Sequence, residues 1–170
     1  RAGDLARETR QIVRATRWRQ GAAVLGFLDD GKEAGEPNND WRVLGGDGYL
    51  ESITGPVSVV FGIMNPHTKA LLYERMKANP LLSFPNVIHP NAQTSEYTKL
   101  GHGIVIATGC FVSVDASIGN CVFINTTTMI GHDVTIGAFT SIMPLVAVSG
   151  NVEIGERVLI GVQSAIKQGV

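Results

Sequence analysis

The sequence predicts two consecutive units, a small α/β domain over residues 1–85 and a parallel β-helix over residues 86–170. The β-helix is predicted by an aliphatic side chain at every sixth position, and the α/β domain by alternating strand-like and helix-like segments. Repeats this short stack into a solenoid, because no single repeat can bury its own apolar face. The aliphatic column comprises Leu100, Ile106, Val112, Ile118, Ile124, Ile130, Ile136, Ile142, Val148, Ile154, Ile160 and Ile166.

The residues on either side of the aliphatic column predict the shape of each repeat. Two positions before each aliphatic residue the side chain is small or β-branched, as expected for a second inward position on a short strand. Three six-residue faces make one triangular coil, so the run supplies about four coils. One position after the aliphatic residue, glycine predicts tight corners where a side chain or a negative φ would not fit; it recurs at residues 101, 119, 131, 137, 155 and 161.

The α/β domain is predicted to open with a helix and a strand. Residues 5–18 suit an amphipathic helix, with Asp4 as its N-cap. The apolar runs 22–28 and 57–61 each end in a turn and predict strands. Residues 32–40 are polar and predict a loop.

A second helix is predicted from Pro66 to Ala78, because proline is favoured at a helix start. Leu71, Leu72 and Met76 are expected on one of its faces. This alternation of strands and helices indicates a small, Rossmann-like α/β domain with a parallel sheet. Since the chain starts without methionine and stops inside a repeat, we expect residues missing at both ends, including an N-terminal strand.

The composition agrees with a soluble protein of the cytoplasm. Fourteen basic and fifteen acidic residues give a net charge of −1, which argues against nucleic acid or an anionic membrane as a partner. No apolar run approaches the roughly 18 residues that span a bilayer. Two cysteines do not make a disulfide framework, so a reducing compartment is the default expectation. Neither cysteine has a histidine setting that would make it a nucleophile.

The run Ile118-Gly-Asn-Cys-Val-Phe-Ile124-Asn-Thr-Thr-Thr-Met-Ile130-Gly-His-Asp-Val-Thr-Ile136-Gly resembles the hexapeptide-repeat acyltransferases. Within them the chain is similar to bacterial acetyltransferases that modify UDP-4-amino sugars or sialic acid. The resemblance implies a left-handed β-helix and a homotrimer with acetyl-CoA bound between adjacent β-helices. It also implies acetyl transfer to the amino group of a nucleotide-linked sugar, with a sugar hydroxyl, as in sialic acid, as the alternative acceptor.

The strongest catalytic candidates are His132 and Asp133. His132 stands two positions after Ile130, at a corner where its side chain should point away from the core. Acetyl transfer to an amine or hydroxyl needs a base, and the ordinary pKa of histidine near 6.5 suits that role. Asp133 is placed to fix the imidazole tautomer. The family resemblance implies the same pair, acting by direct attack on the thioester without an acyl-enzyme.

Two loops of the α/β domain are candidate nucleotide-sugar contacts, because ligands of open α/β sheets bind beyond the carboxyl ends of strands. One loop carries Asp29 and Asp30, and the other runs from Gly62 to Asn65. The resemblance implies that both turns contact the nucleotide sugar. Met64 stands where the family usually has glycine, so this loop departs from the family pattern.

Further candidates lie along the solenoid. Asn125 is expected to contact the acceptor or the acetyl carbonyl through its amide. Ser149, Gly150 and Gly161 are candidates for close approach of the coenzyme, whose oxygens could bind free backbone N–H groups. Leu145 stands where the family usually has glycine, and it is expected to narrow the coenzyme channel.

Two other functions remain open from the residues. A zinc hydratase with this solenoid needs three histidines, including a close pair in one strand, and no two histidines here lie within ten residues of each other. No metal is therefore expected. A non-catalytic scaffold would make His132 and Asn125 incidental. His67, His89 and His102 are interpreted as surface or packing residues.

Overall fold

The computed structural model describes residues 3–16 and 23–170. Its first part contains two α-helices, α1 (Asp4–Ala15) and α2 (Pro66–Met76), and a 3₁₀ helix, Asp47–Glu51. The strands of this part are β1 (Phe27–Leu28), β2 (Pro37–Asn38), β3 (Trp41–Gly45), β4 (Val57–Ser58) and β5 (Leu82–Ser83).

The second part is a parallel β-helix of two-residue strands. They are β6 (Val87–Ile88), β7 (Gln93–Thr94), β8 (Lys99–Leu100), β9 (Val105–Ile106), β10 (Phe111–Val112), β11 (Ser117–Ile118), β12 (Phe123–Ile124), β13 (Met129–Ile130), β14 (Thr135–Ile136), β15 (Ser141–Ile142), β16 (Ala147–Val148), β17 (Glu153–Ile154), β18 (Leu159–Ile160) and β19 (Ala165–Ile166). Each strand pairs in parallel with the strand three places on, so that Ile130 lies opposite Val112 and Val148. The predicted period of 18 residues is confirmed.

The strands form three faces. Face 1 contains β6, β9, β12, β15 and β18; face 2 contains β7, β10, β13, β16 and β19; face 3 contains β8, β11, β14 and β17. The predicted aliphatic column points inward from all three, and every member except Leu100 and Ile166 is buried. The stacking of parallel strands is consistent with the left-handed β-helix that the resemblance implies.

The prediction for the corner glycines is confirmed in one part and wrong in the other: a side chain would not fit at several of them, but none of the six has a positive φ. Positive φ falls two positions later, at residues such as Asp115, Asp133 and Leu145. The glycines are needed for close approach instead, since a Cβ on Gly119 would lie 2.7 Å from the backbone N of Ala138. Successive coils therefore touch backbone to backbone at Gly119, Gly131 and Gly137.

The three faces differ in what covers them. The outward residues of face 1 are buried as far as Ser141, because the α/β part packs there: α1 lies on β6, and Lys69 of α2 reaches Ser141. Face 2 exposes apolar side chains, with Phe111 and Met129 each nearly half exposed. Face 3 presents the polar residues Lys99, Ser117, Thr135 and Glu153.

The α/β part differs from its prediction in detail. Asp4 is the first residue of α1, and Gly3 occupies the N-cap position. Leu71 is 62 % exposed and does not share the buried face of Met76. The predicted strands are confirmed only at β1 and β4. Residues 17–18, the end of the first predicted helix, and residue 22, the start of the first predicted strand, lie outside the described residues.

The strands of this part form two small sheets. In one, β3 pairs in parallel with β1 and antiparallel with β2; in the other, β4 pairs in parallel with β5. A cavity of about 530 Å³ separates β1 from the segment 56–63, and α1 and α2 line its sides. The predicted Rossmann-like domain and its boundary at residue 85 stay predictions. Neither α1 nor α2 has the length and apolar character that crossing a bilayer requires.

Candidate functional site

His132 and Asp133 form a hydrogen-bonded pair at the corner between faces 2 and 3, called here the His132 corner. The Asp133 carboxylate accepts a hydrogen bond from Nδ1 of His132 at 2.8 Å. In the neutral imidazole this bond places the proton on Nδ1, so that Nε2 is the nitrogen that can accept a proton. The His132 side chain is 49 % exposed, as predicted. The exposed imidazole is therefore oriented to act as a base.

The backbone fixes this corner from both neighbouring coils. The Asp133 N–H donates to the carbonyl of Val114, one coil earlier, at 3.2 Å. The carbonyl of His132 accepts from the N–H of Asn151, one coil later, at 2.9 Å. Asp133 has φ of +56°, a left-handed conformation that aspartate tolerates better than most residues. Hydrogen bonds on both sides make the corner a rigid support for the imidazole.

Gly150 lies directly over the His132 ring, one coil later. A Cβ on Gly150 would lie 2.6 Å from Cε1 of His132 and closer still to Nε2. Within the described part of the chain, the Gly150 N–H donates no hydrogen bond. A free N–H beside a base is an arrangement that can bind a carbonyl oxygen. Ser149 precedes Gly150 on the same corner, so two of the three predicted coenzyme contacts lie beside His132.

Replacing Gly150 with alanine should displace the His132 ring without unfolding the protein, because the three heavy atoms nearest the new methyl group all belong to this exposed side chain. If His132 is the base that the family resemblance implies, acetyl transfer should fall at least about tenfold, because a misplacement of about 1 Å can cost a catalytic group that much or more. Gly155→Ala is the matched control, since a Cβ there would meet only Val158 at 3.9 Å. Equal activity of both variants, measured by release of free thiol, would contradict this placement of His132.

Asn125 lies at a different corner, between faces 1 and 2, called here the Asn125 corner. Its side chain is buried, and its Oδ1 accepts a hydrogen bond from the Thr126 N–H at 2.7 Å. The amide Nδ2 is left as an unused donor within the described residues. Gly161, the third predicted coenzyme contact, lies at this corner two coils later. One chain therefore divides the predicted site residues of its β-helix between two corners.

The loop after β1 carries both predicted aspartates. Asp29 is buried, and its Oδ1 accepts a hydrogen bond from the Gly31 N–H at 3.0 Å. Asp30 is exposed and accepts from the Asp47 N–H at 2.8 Å. Burial, followed by the charge of Asp30, raises the pKa of Asp47, and the nearby Arg75 guanidinium partly opposes this change. Asp47 therefore belongs to the same acidic loop cluster, which no local sequence motif indicated.

The second predicted loop is shaped by helix packing. A Cβ on Gly62 would lie 2.7 Å from Cα of Ala6, so glycine lets α1 approach this loop closely. The Oδ1 of Asn65 accepts from the Thr68 N–H at 2.9 Å and caps α2. Met64 packs against the edge of the β-helix core. These structural roles leave a ligand role for Gly62 and Asn65 as a prediction.

Lys69 is an ionisable residue that the sequence analysis missed. Its side chain is 1 % exposed, and its Nζ donates to Oγ of Ser141 at 2.9 Å. Burial lowers its pKa to about 7, while burial raises the pKa of the neighbouring Cys121 thiol to about 12.

His102 also joins the two parts of the chain, since its Nε2 is hydrogen-bonded to Oη of Tyr73 at 2.7 Å. Among the described residues, no three potential metal-binding side chains lie close enough to hold an ion.

No family model matches the sequence. The chain is 28 % identical over 174 residues to GDP-perosamine N-acetyltransferase from Escherichia coli O157:H7, spanning 99 % of this chain and 76 % of that enzyme. This similarity extends through both parts of the chain.

Solved structures show the same architecture. The acetyltransferase domain of PglB from Neisseria gonorrhoeae FA1090 matches with a TM-score of 0.90 at 26 % identity, over 99 % of this chain and 80 % of that domain. The same domain has been solved in complex with acetyl coenzyme A. PerB from Caulobacter crescentus, solved with CoA and GDP-perosamine, matches at 20 % identity with a TM-score of 0.76, over 100 % of this chain and 87 % of that chain, and shares the fold.

Proposed function

Since this chain is related in sequence and fold to the hexapeptide-repeat sugar N-acetyltransferases, we propose that it transfers an acetyl group from acetyl-CoA to an amino sugar. The acceptor is the amino group of a nucleotide-linked sugar. The observation that carries this proposal is the His132 imidazole, exposed at its corner, oriented by Asp133 and covered by Gly150. An amine needs a base to become a nucleophile at neutral pH, and this arrangement supplies one.

The residues of the His132 corner divide the chemistry between them. Nε2 of His132 removes a proton from the acceptor amine, and Asp133 stabilises the imidazolium that results. As the new C–N bond forms and the C–S bond of the thioester breaks, the imidazolium returns this proton to the departing CoA thiolate. The free N–H of Gly150 hydrogen-bonds the carbonyl oxygen that gains negative charge during attack. Acetyl-CoA supplies the activated acyl group when it is bound. Ser149 and Gly161 are proposed contacts along its chain.

The acidic loop after β1 and the loop before α2 are the proposed nucleotide-sugar contacts. Asp29, Asp30, Gly62 and Asn65 follow β1 and the segment that begins with β4. The carboxylates of Asp29 and Asp30 are acceptors for sugar or ribose hydroxyl groups. Cys110 and Cys121 are buried as free thiols, which supports the proposed cytoplasmic location.

We place the active site between copies of the chain in a homotrimer. Face 2 exposes Phe111 and Met129 and is bounded by the Asn125 corner on one side and the His132 corner on the other. When face 2 of each copy turns toward a common threefold axis, the His132 corner of one copy lies beside the Asn125 corner of the next. Such a cyclic contact closes after three copies.

The heights of the two corners support this arrangement. Asn125 and His132 are seven residues apart within one 18-residue coil, and successive strands are about 4.8 Å apart. Their difference in height along the solenoid is therefore roughly 2 Å. Rotation about a threefold axis parallel to the solenoid does not change the height of any residue. His132 of one copy and Asn125 of the next would therefore lie at nearly the same level.

Mixing two inactive variants tests the shared site. His132→Ala and Asn125→Ala chains should each transfer acetyl slowly alone. After the two are unfolded together and reassembled, about a quarter of the sites should combine His132 from one variant with Asn125 from the other and regain activity. Reassembly of each variant alone is the control. A mixture no more active than its components, or a monomer in sedimentation, would contradict the shared site.

A further inference from the structure

A second cavity, of about 290 Å³, lies where α1 meets the Asn125 corner. Its β-helix wall includes Asn125, Thr126 and Thr108, and its helix wall includes Glu8 and Gln11. Cavities at a junction between two parts of a protein are common ligand sites. This cavity is separate from the 530 Å³ cavity, and the mechanism above uses only Asn125 from it.

The polar groups of this cavity offer donors and acceptors in fixed positions. His89 also lines it, and its Nδ1 accepts a hydrogen bond from the Asn91 N–H at 3.0 Å. The proton of the neutral imidazole is therefore on Nε2, which becomes a donor. The Nδ2 of Asn125 is a second donor that has no partner within the described chain. Donors fixed in this way suit the hydroxyl groups of a sugar ring.

Glu8 is the one acidic side chain among the residues that line this cavity. It is exposed and forms no ion pair with the described part of the chain. The cavity has no lysine or arginine in its lining. A carboxylate facing a cavity without a cationic partner favours a positively charged ligand group. A sugar ammonium group has that charge, whereas a sugar hydroxyl does not.

We propose that the α1 cavity holds the amino-bearing ring of the acceptor and that Glu8 binds its ammonium group. Glu8 is then the residue that makes this site select an amine over a hydroxyl. The inference rests on the proposed acetyl transfer, and it adds where the acceptor ring sits and which side chain recognises it. In the trimer, the ring lies against the Asn125 corner, within reach of His132 from the neighbouring copy. Because an ammonium nitrogen has no lone pair, His132 takes one of its protons before the neutral amine attacks the thioester.

Calorimetric titration at pH 7 tests the role of Glu8. The probes are GDP-perosamine and a UDP-linked 4-amino sugar, each compared with the counterpart that has a hydroxyl in place of the amine. The wild type should bind one of the amino sugars about tenfold more tightly than its hydroxyl counterpart, the effect of one charge-assisted hydrogen bond. Glu8→Gln should bind both alike, and Glu153→Gln, on face 3, should keep the wild-type preference.

The outcomes separate this inference from the proposed function. If Glu8→Gln keeps the preference, or the wild type has none, Glu8 is not the recognition residue, while acetyl transfer by the wild type still supports the enzyme. If the wild type neither binds nor acetylates either amino sugar, both proposals are wrong. Because Glu8 is exposed, its replacement by glutamine leaves the packing of α1 intact, and thermal unfolding verifies this.

Discussion

Replacing His132 with alanine should remove nearly all acetyl transfer while the trimer stays folded. The side chain is half exposed, and its hydrogen bond to Asp133 lies outside the core, so little packing is lost. General-base catalysis commonly contributes about 10²- to 10⁴-fold in rate, and we expect kcat to fall within that range. Free thiol released from acetyl-CoA measures the rate, and calorimetry with CoA verifies that the coenzyme still binds.

His67→Ala is the matched control for this experiment. His67 is exposed near the start of α2, far in sequence from the His132 corner, and its loss should leave both activity and stability unchanged. Full activity of His132→Ala would overturn the assignment of the base. Loss of the folded trimer in His132→Ala would instead show that the imidazole is structural.

Replacing Lys69 with methionine should stabilise the protein by about 2–4 kcal/mol at pH 7. Burial lowers the pKa of Lys69 from 10.5 to about 7, which corresponds to roughly 5 kcal/mol of lost unfolding free energy at and below that pH. Methionine fills a similar volume without a charge. Part of the gain is offset because Oγ of Ser141 loses its donor, which costs about 1–3 kcal/mol.

The pH dependence of the unfolding free energy is a more specific test of the buried Lys69 amine than the stability at one pH. Between pH 7 and 10.5 the unfolded chain binds one more proton at Lys69 than the folded chain, so stability rises with pH. The slope is about 1.4 kcal/mol per pH unit in the wild type, and it should vanish in Lys69→Met. The pKa of Cys121, raised to about 12, opposes this trend above pH 9, because only the unfolded thiol then loses its proton.

Urea unfolding between pH 7 and 8.5 therefore isolates the contribution of Lys69. Lys77→Met is the matched control, since Lys77 follows the same helix and is exposed with an ion pair to Glu74. That variant should keep both the wild-type stability and the wild-type slope. If Lys69→Met keeps the slope as well, Lys69 is not the buried neutral amine described here.

The solenoid could be predicted from the sequence because each of its coils repeats one pattern. The aliphatic column reports burial directly, and its period fixes which residue of one coil lies over which residue of the next. The crowding at the corner glycines was predicted, but the atoms responsible were not, since Gly119 approaches the backbone of Ala138, a full coil away. The pairing of strands in the first part could not be predicted either, because strands of two residues show almost no periodicity in the sequence.

The candidate site shows the same limit. His132 and Asp133 are adjacent in sequence, so their pairing was predicted and is confirmed by the hydrogen bond between them. Three further residues could not be predicted because their importance depends on a long-range contact. Lys69 contacts Ser141, Asp47 contacts Asp30, and Glu8 lines a cavity with the Asn125 corner. Their sequence neighbours give no sign of burial or of a cavity.

The 18-residue pairing of coils has a consequence for how such an enzyme can change length. Adding or deleting six residues between His132 and Gly150 would rotate every later residue by one face and move Gly150 to another corner. Adding or deleting a whole coil of 18 residues keeps every later residue on its original face. If the change lies outside residues 132–150, it leaves the His132 corner unchanged. Insertions and deletions in the β-helix that keep the activity should therefore be whole coils. The solenoid can be lengthened or shortened on either side of the His132 corner while the site itself stays the same.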